Sequence, residues 1–339
     1  MQVKLNNILV QDGFLELTKR LENKTILEES FEIAGKTKLT LLASGVLMVE
    51  PLANKSELDL IISSGVHGNE TAPIEIVDRL VTKILRAELA VSCRVLFIIG
   101  NPVAMNMSQR FDIENMNRLF NGKHQGRDHH EAKRAALLET IVENFYQDSA
   151  VERRHYDLHT AIRASKHSQF AVYPYPDGRP WNQQQLAFFK ASGINTILLG
   201  HQPSGTFSYA TSHRYGAHAF TVELGKVRPF GENNPADFAA IEQNLSALIA
   251  GQTIATESFD NKDFNLFKVK CELIKHSESF QLNIADDIEN FTEFSAGFKL
   301  TEDGEHSYTV ATDGEAIVFP NAKIPVGQRA GLIVERTRI

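Results

Sequence analysis

Cysteine is almost missing from this chain: Cys93 and Cys271 are the only two in 339 residues, far apart and each set in an alternating apolar stretch. That excludes a disulfide framework and a thiolate metal site, and both thiols are expected to be reduced and buried. No apolar run approaches the roughly 18 residues that span a bilayer. The start, MQVKLNNILVQDGFLE, lacks a cationic segment followed by an apolar core and a small-residue cleavage site, so a cytoplasmic location without a membrane partner is expected. Lys and Arg form no block able to follow a phosphate backbone, and 42 acidic residues against 35 basic give a formal charge of -7. A nucleic-acid partner is therefore disfavoured. Internal repeats and low-complexity tracts are absent too. What is present is a globular composition, 42% apolar and 23% charged, together with 12 histidines.

Strand-like and helix-like patterns alternate from about Leu58. The runs 58–65 and 93–100 are short, apolar and closed by glycine, and between them Ile74, Val77, Val81, Ile84 and Leu85 recur at helical spacing behind Pro73. This reads as strand, crossover helix, strand. Further helices are expected over 128–145 and 235–250, and further core strands over 154–160, 197–200 and 219–225. Such alternation implies an α/β domain with a mostly parallel or mixed central sheet flanked by helices. After about Gly251 the period changes to two, over 265–274, 308–311 and 316–319, with turns at Asp303-Gly304 and Asp313-Gly314. We therefore expect a catalytic α/β domain over 1–252 and a smaller all-β C-terminal domain over 253–339. Segment 108–127, rich in Asn, Arg and Gly, reads as a long loop, a feature that compact domains tend to keep for function.

Gly65-Val66-His67-Gly68-Asn69-Glu70-Thr71 follows the first core strand, where open α/β sheets place their ligands. His67 and Glu70, three residues apart in a glycine-flanked turn, can bring an imidazole and a carboxylate to one point. His159, at the end of another strand, can supply the third ligand of a zinc ion that keeps its fourth position open for water. Without that strand-end setting, His-x-x-Glu would read as a surface pair. Asp157 shares a strand face with His159 and can either orient the imidazole or cap a nearby turn. Glu223, a single acid among apolar strand residues, is either the proton acceptor for an activated water or a salt-bridge partner of Lys226 or Arg228. The catalytic reading is preferred, because Glu223 too is expected near a strand's carboxyl end. Arg110 and Asn117-Arg118 place two guanidinium groups and an amide in the long loop, a set suited to a small acidic substrate. Arg163 is a weaker addition to it. His129 and His130 are expected to face solvent, His276 and His306 belong to the β-rich part, and His201, His213 and His218 could line the pocket without being compelled to.

Gly-x-His-Gly-x-Glu at 65–70, Asn101-Pro102, Arg110 with Asn117-Arg118, Asp157-Leu158-His159 and Val222-Glu223-Leu224-Gly225 stand in the order seen in the succinylglutamate desuccinylase/aspartoacylase family, relatives of the zinc carboxypeptidases, which the chain resembles over nearly its whole length. The longer strings 157–163, 170–175 and 221–231 look like the members that act on succinylglutamate. The resemblance implies a zinc-carboxypeptidase-like fold and one Zn2+ per chain on His67, Glu70 and His159. It also implies Glu223 as proton shuttle and Arg110, Asn117 and Arg118 as holders of substrate carboxylates. The implied reaction is hydrolysis of N-succinyl-L-glutamate to succinate and L-glutamate, the last step of arginine breakdown through succinylated intermediates. An aspartoacylase-like N-acyl amino acid deacylase and a carboxypeptidase-type peptidase are the alternatives. The oligomeric state stays open, a homo-oligomer included.

Overall fold

The computed structural model describes residues 5–53, 56–147 and 151–339. Two short helices, α1 (Leu5–Asp12) and α2 (Phe14–Leu21), precede a meander of β1 (Glu29–Ile33), β2 (Thr37–Ala43) and β3 (Val46–Pro51). Then come β4 (Leu58–Ser64), α3 (Thr71–Leu85), β5 (Arg94–Ile99), α4 (Pro102–Asn106), α5 (His130–Phe145), β6 (Glu152–Ala161), β7 (Phe170–Tyr173), α6 (Gln183–Ala191), β8 (Thr196–Leu199), α7 (Phe207–Tyr215), β9 (His218–Lys226) and α8 (Ala239–Ile249). The remainder is β-rich: β10 (Asn265–Ile274), β11 (Gln281–Leu282), β12 (Thr292–Phe294), β13 (Thr301–Glu302), β14 (Glu315–Val318) and β15 (Arg329–Arg336). No described helix is long and apolar enough to cross a membrane.

Thirteen of the strands join one sheet in the order β1-β2-β3-β5-β4-β6-β9-β7-β8-β10-β15-β14-β12. The centre, β5-β4-β6-β9, is parallel throughout. The β7–β9 pair is antiparallel and so is the flanking meander, which makes the sheet mixed. Side chains alternate between its faces. Leu60, Ile62, Tyr156, Leu158, Phe220 and Val222 pack in one core cluster with α1, α2, α3, α6 and α8. Ile61, Leu96 and Ile98 pack in a second cluster with α5 and α7. The same alternation sends Ser63, His155, Asp157, His159 and Glu223 toward the α5/α7 face.

Side-chain caps mark several helix starts: Asn101 for α4, Asn182 for α6 and Thr206 for α7, which ends at Gly216 in the left-handed region. The expected strand at 308–311 does not form; only an isolated bridge joins Thr309 to Lys299. Its backbone donors are partly taken by side chains, Tyr308 N–H by Thr301 Oγ1 and Ala311 N–H by the buried Glu315 carboxylate. Cys93 is buried and Cys271 half-buried, and both are free thiols.

Candidate active site

Gly65, at the carboxyl end of β4, turns the chain with φ +60°, and its carbonyl accepts from Asn101 N–H at 2.7 Å. Gly68 then passes so close to the chain at Ala104-Met105 that a Cβ would lie 2.1 Å from backbone atoms, so no larger residue fits. This turn delivers His67 and Glu70 to the start of α3. Parallel pairing of β6 with β9 sets His159 opposite Glu223. His67, Glu70 and His159 are all buried and offer ligand atoms within 4.8 Å of one another.

Hydrogen bonding on the outer sides of the two imidazoles fixes what they present inward. His67 Nε2 lies 2.9 Å from Asn115 Oδ1, and that oxygen is identified as an acceptor because it also takes Asn117 N–H at 3.0 Å. His159 Nε2 lies 2.9 Å from Asp157 Oδ2. With the Nε2 protons held there, each neutral imidazole turns a lone pair on Nδ1 inward. The two Nδ1 atoms stand 3.2 Å apart, and each is 2.8 Å from one oxygen of Glu70. Three acceptors converging in a buried space call for a cation between them. Two imidazoles and one carboxylate suit a divalent ion of the zinc type.

Charge in the cluster follows from these distances. Burial opposes a charge on His159, but Asp157 and Glu70 outweigh it and hold its pKa well above the ordinary value, so the neutral form with an inward Nδ1 lone pair arises when a cation takes the place of the Nδ1 proton. Burial and then Arg110 push His67 down to about 4. Burial would raise Glu70, yet His67 and His159 keep it well below the usual carboxylate range. Glu223 behaves in the opposite way: burial first and the Glu70 charge second lift it to about 7, with His159 and Arg110 opposing. Its Oε2 is buried without a hydrogen-bond partner, and no ion pair to Lys226 or Arg228 is found among the described residues. An acid placed in this way can exchange a proton near neutral pH.

Arg110 reaches the cluster, with Nη1 2.5 Å from Glu70 Oε1, while its carbonyl accepts Gly68 N–H at 3.1 Å. Asn117 is buried, and its Oδ1 accepts the Phe207 N–H at the start of α7 at 2.9 Å. Arg118 is exposed as a residue, although its Nη1 donates to the Asn117 carbonyl at 2.8 Å. Burial, then the neighbouring charges of Arg329 and Arg110, lower its pKa to about 10, so it stays cationic at neutral pH. Arg163 turns away: its guanidinium donates to the Asp286 carbonyl in the β-rich part, and no hydrogen bond or ion pair ties it to the cluster.

Several participants escape the sequence. Asn115 is one, hidden among other loop asparagines. Ser63 and His155 are two more: Ser63 Oγ donates to Asp157 Oδ1 at 2.6 Å and lies 2.7 Å from His155 Nε2, and His155 Nδ1 lies 2.8 Å from Thr211 Oγ1. Their only signal was a position on the same strand face as His159. His129 and His130 are half-buried rather than solvent-facing, paired with Glu114 and Asp112 of the long loop. His201 approaches Glu272, His213 pairs with Asp177, and His218 with Asn182, so all three are engaged elsewhere.

The family model described as succinylglutamate desuccinylase/aspartoacylase catalytic domain matches residues 56–249. One described as AstE/AspA barrel-sandwich hybrid domain matches residues 262–337. The succinylglutamate desuccinylase of Shewanella piezotolerans is 45% identical over 329 residues, 95% of each chain, and that of Shewanella pealeana is 45% identical over the same share. Among solved structures, the succinylglutamate desuccinylase from Chromobacterium violaceum superposes with a TM-score of 0.85 at 39% identity, covering 96% of this chain and 98% of that one. The one from Vibrio cholerae gives 0.88 at 32% identity, covering 96% and 95%.

Proposed function

The chain belongs to the succinylglutamate desuccinylase/aspartoacylase family, and from that premise we propose that it hydrolyses the amide bond of N-succinyl-L-glutamate, giving succinate and L-glutamate, with one zinc ion held by His67, Glu70 and His159. The observation that carries the chemistry is the meeting of two inward Nδ1 lone pairs and a carboxylate beside a buried acid raised to about 7. The substrate class is supported by the names of relatives alike over 95% of the chain and by the guanidinium of Arg110 beside Glu70, with Asn117 and Arg118 on the same loop of a net acidic protein.

Zinc on these ligands would polarise the amide carbonyl and acidify the attacking water. Glu223 accepts the proton of that water as oxygen adds to the carbonyl carbon, then passes it to the nitrogen as the C–N bond breaks. Arg110, next to Glu70, faces the developing oxyanion or a substrate carboxylate, while Asn117 and Arg118 hold the remaining carboxylates. Asp157 keeps the His159 imidazole in the tautomer that presents Nδ1. Arg163 stays outside this set because its guanidinium is engaged at Asp286. A catalytic unit over 1–252 and a β-rich unit over 253–339 belong to the same reading, supported by family models that end at 249 and begin at 262.

The test is a metal assay on purified protein combined with turnover of N-succinyl-L-glutamate, N-acetyl-L-aspartate and a short peptide. Stoichiometric zinc and preference for the first substrate are expected. No activity on N-succinyl-L-glutamate overturns the substrate assignment, and protein that binds no metal and ignores chelators overturns the site.

A further inference from the structure

The long loop that carries Arg110, Asn115, Asn117 and Arg118 has little regular structure of its own, so something else must hold it in register. Glu131, in the first turn of α5, has no exposed surface. Its Oε1 accepts the backbone N–H of Asp112 at 2.8 Å and the side-chain amide of Asn101 at 3.3 Å, and its Oε2 accepts the N–H groups of Ile113 and Glu114 at 3.1 and 2.7 Å. Three consecutive backbone donors on one carboxylate form a concave nest, here with the anion supplied by the protein itself. One turn further along α5, the buried Arg134 donates to the carbonyls of Ser44, Ile99 and Gly100. The helix thus grips the loop with an anion and the sheet with a cation.

The gripped residues, 112–114, lie between Arg110, whose guanidinium meets Glu70, and Asn115, whose Oδ1 meets His67. We infer that Glu131 is a positioning residue for substrate recognition: it clamps 112–114 so that Arg110 and Asn115 face Glu70 and His67, and it presents Asn117 and Arg118 to the substrate carboxylates. Glu131 itself hydrogen-bonds to none of His67, Glu70 and His159, so its influence passes through the loop backbone. The inference rests on the proposed role of this loop in binding substrate.

Glu131→Gln keeps the size of the side chain but turns an NH2 group toward backbone donors, so at least one buried N–H loses its acceptor. Hydrogen exchange followed by mass spectrometry should then show loss of protection in peptides covering 108–116 while the body of α5 keeps its own. KM for N-succinyl-L-glutamate should rise roughly tenfold or more, kcat should fall by a smaller factor, and metal should stay bound at saturating zinc, with its affinity weakened only through the loosened Asn115 contact to His67. Glu131→Asp, which keeps the acceptors but shortens their reach, should restore part of the KM. Ile113→Pro, at an exposed site outside the helix, removes one donor from the loop side and should act in the same direction if Glu131→Gln does not fold. Folded Glu131→Gln with parental loop protection and parental KM overturns the clamp, as does an equal loss in kcat without any change in KM. If the parent protein does not turn over N-succinyl-L-glutamate, the substrate reading fails, and the exchange experiment still decides whether Glu131 holds the loop.

Discussion

At the level of single side chains, what sets this site apart is the protonation forced on each group by its neighbours. Asp157 and Asn115 hold the outer nitrogens of His159 and His67, and that is why the inner nitrogens converge as acceptors. Asp157→Asn should leave the fold intact and weaken metal binding by about 10–100-fold, read by titration against a competing chelator. Glu223→Gln should lower turnover by about 10²–10⁴-fold while metal stays bound, since the amide has no proton-accepting form near neutrality. The same substitution has a stability consequence. The folded-state pKa of Glu223, about 7, exceeds its ordinary 4.5, so between those values the native protein binds more protons than the unfolded chain, and stability falls as pH rises through that window. Metal-free Glu223→Gln should therefore be more stable than the metal-free parent at pH 8, by on the order of 1–3 kcal/mol, with the gap closing toward pH 4.5 in denaturant titrations. The grouping of His67, Glu70 and His159 was legible in the sequence because the first two share a glycine-flanked turn and the third ends a strand beside a hydroxyl residue, and Glu223 stood out as a single acid among apolar strand residues. Asn115, Ser63 and His155 were not, because an ordinary loop asparagine or strand serine carries no local mark of the partner that folding brings to it.

Among the elements, strands and helices with strong periodicity follow the expectation closely. The helix expected over 128–145 forms as α5, and 265–274 forms β10 to the residue. The one strand that fails, 308–311, shows the limit of alternation as a signal: Glu315 and Thr301 compete for the donors that a ladder would need. The turn after β4 allows a sharp test. Gly68→Ala places a methyl group against the backbone at Ala104-Met105, so the turn must move and take His67 and Glu70 with it. We expect a loss of roughly 2 kcal/mol or more in thermal or denaturant unfolding, together with reduced metal content. Parental stability and metal content in Gly68→Ala would show that the approach of the two chains is looser than 2.1 Å implies.

Over the whole molecule, the division into an α/β part and a β-rich part meets a continuous sheet. Strand β8 pairs in parallel with β10, Thr196–Leu199 against 265–268, and a shared core of Phe170, Leu198, Phe267, Phe291, Val318 and Leu332 closes the seam. A protein ending at residue 252 would bare the β8 edge and half of that core, so it should aggregate or bind a hydrophobic dye rather than fold as an independent enzyme. Well-dispersed spectra from such a fragment would contradict this. The β-rich part also bears on the loop arginines, since Arg329 of β15 acts electrostatically on Arg118. Periodicity and strand-end chemistry, both written in local order, were enough to indicate an α/β metal-site protein with a β-rich tail, because alternating burial and a glycine-flanked turn are properties of a few consecutive residues. The joining of both parts into one sheet, the tautomers that turn the Nδ1 atoms inward, and the clamp of Glu131 on 112–114 came only with the tertiary structure. Each depends on groups tens of residues apart meeting at hydrogen-bond distance, and no local pattern encodes such a meeting.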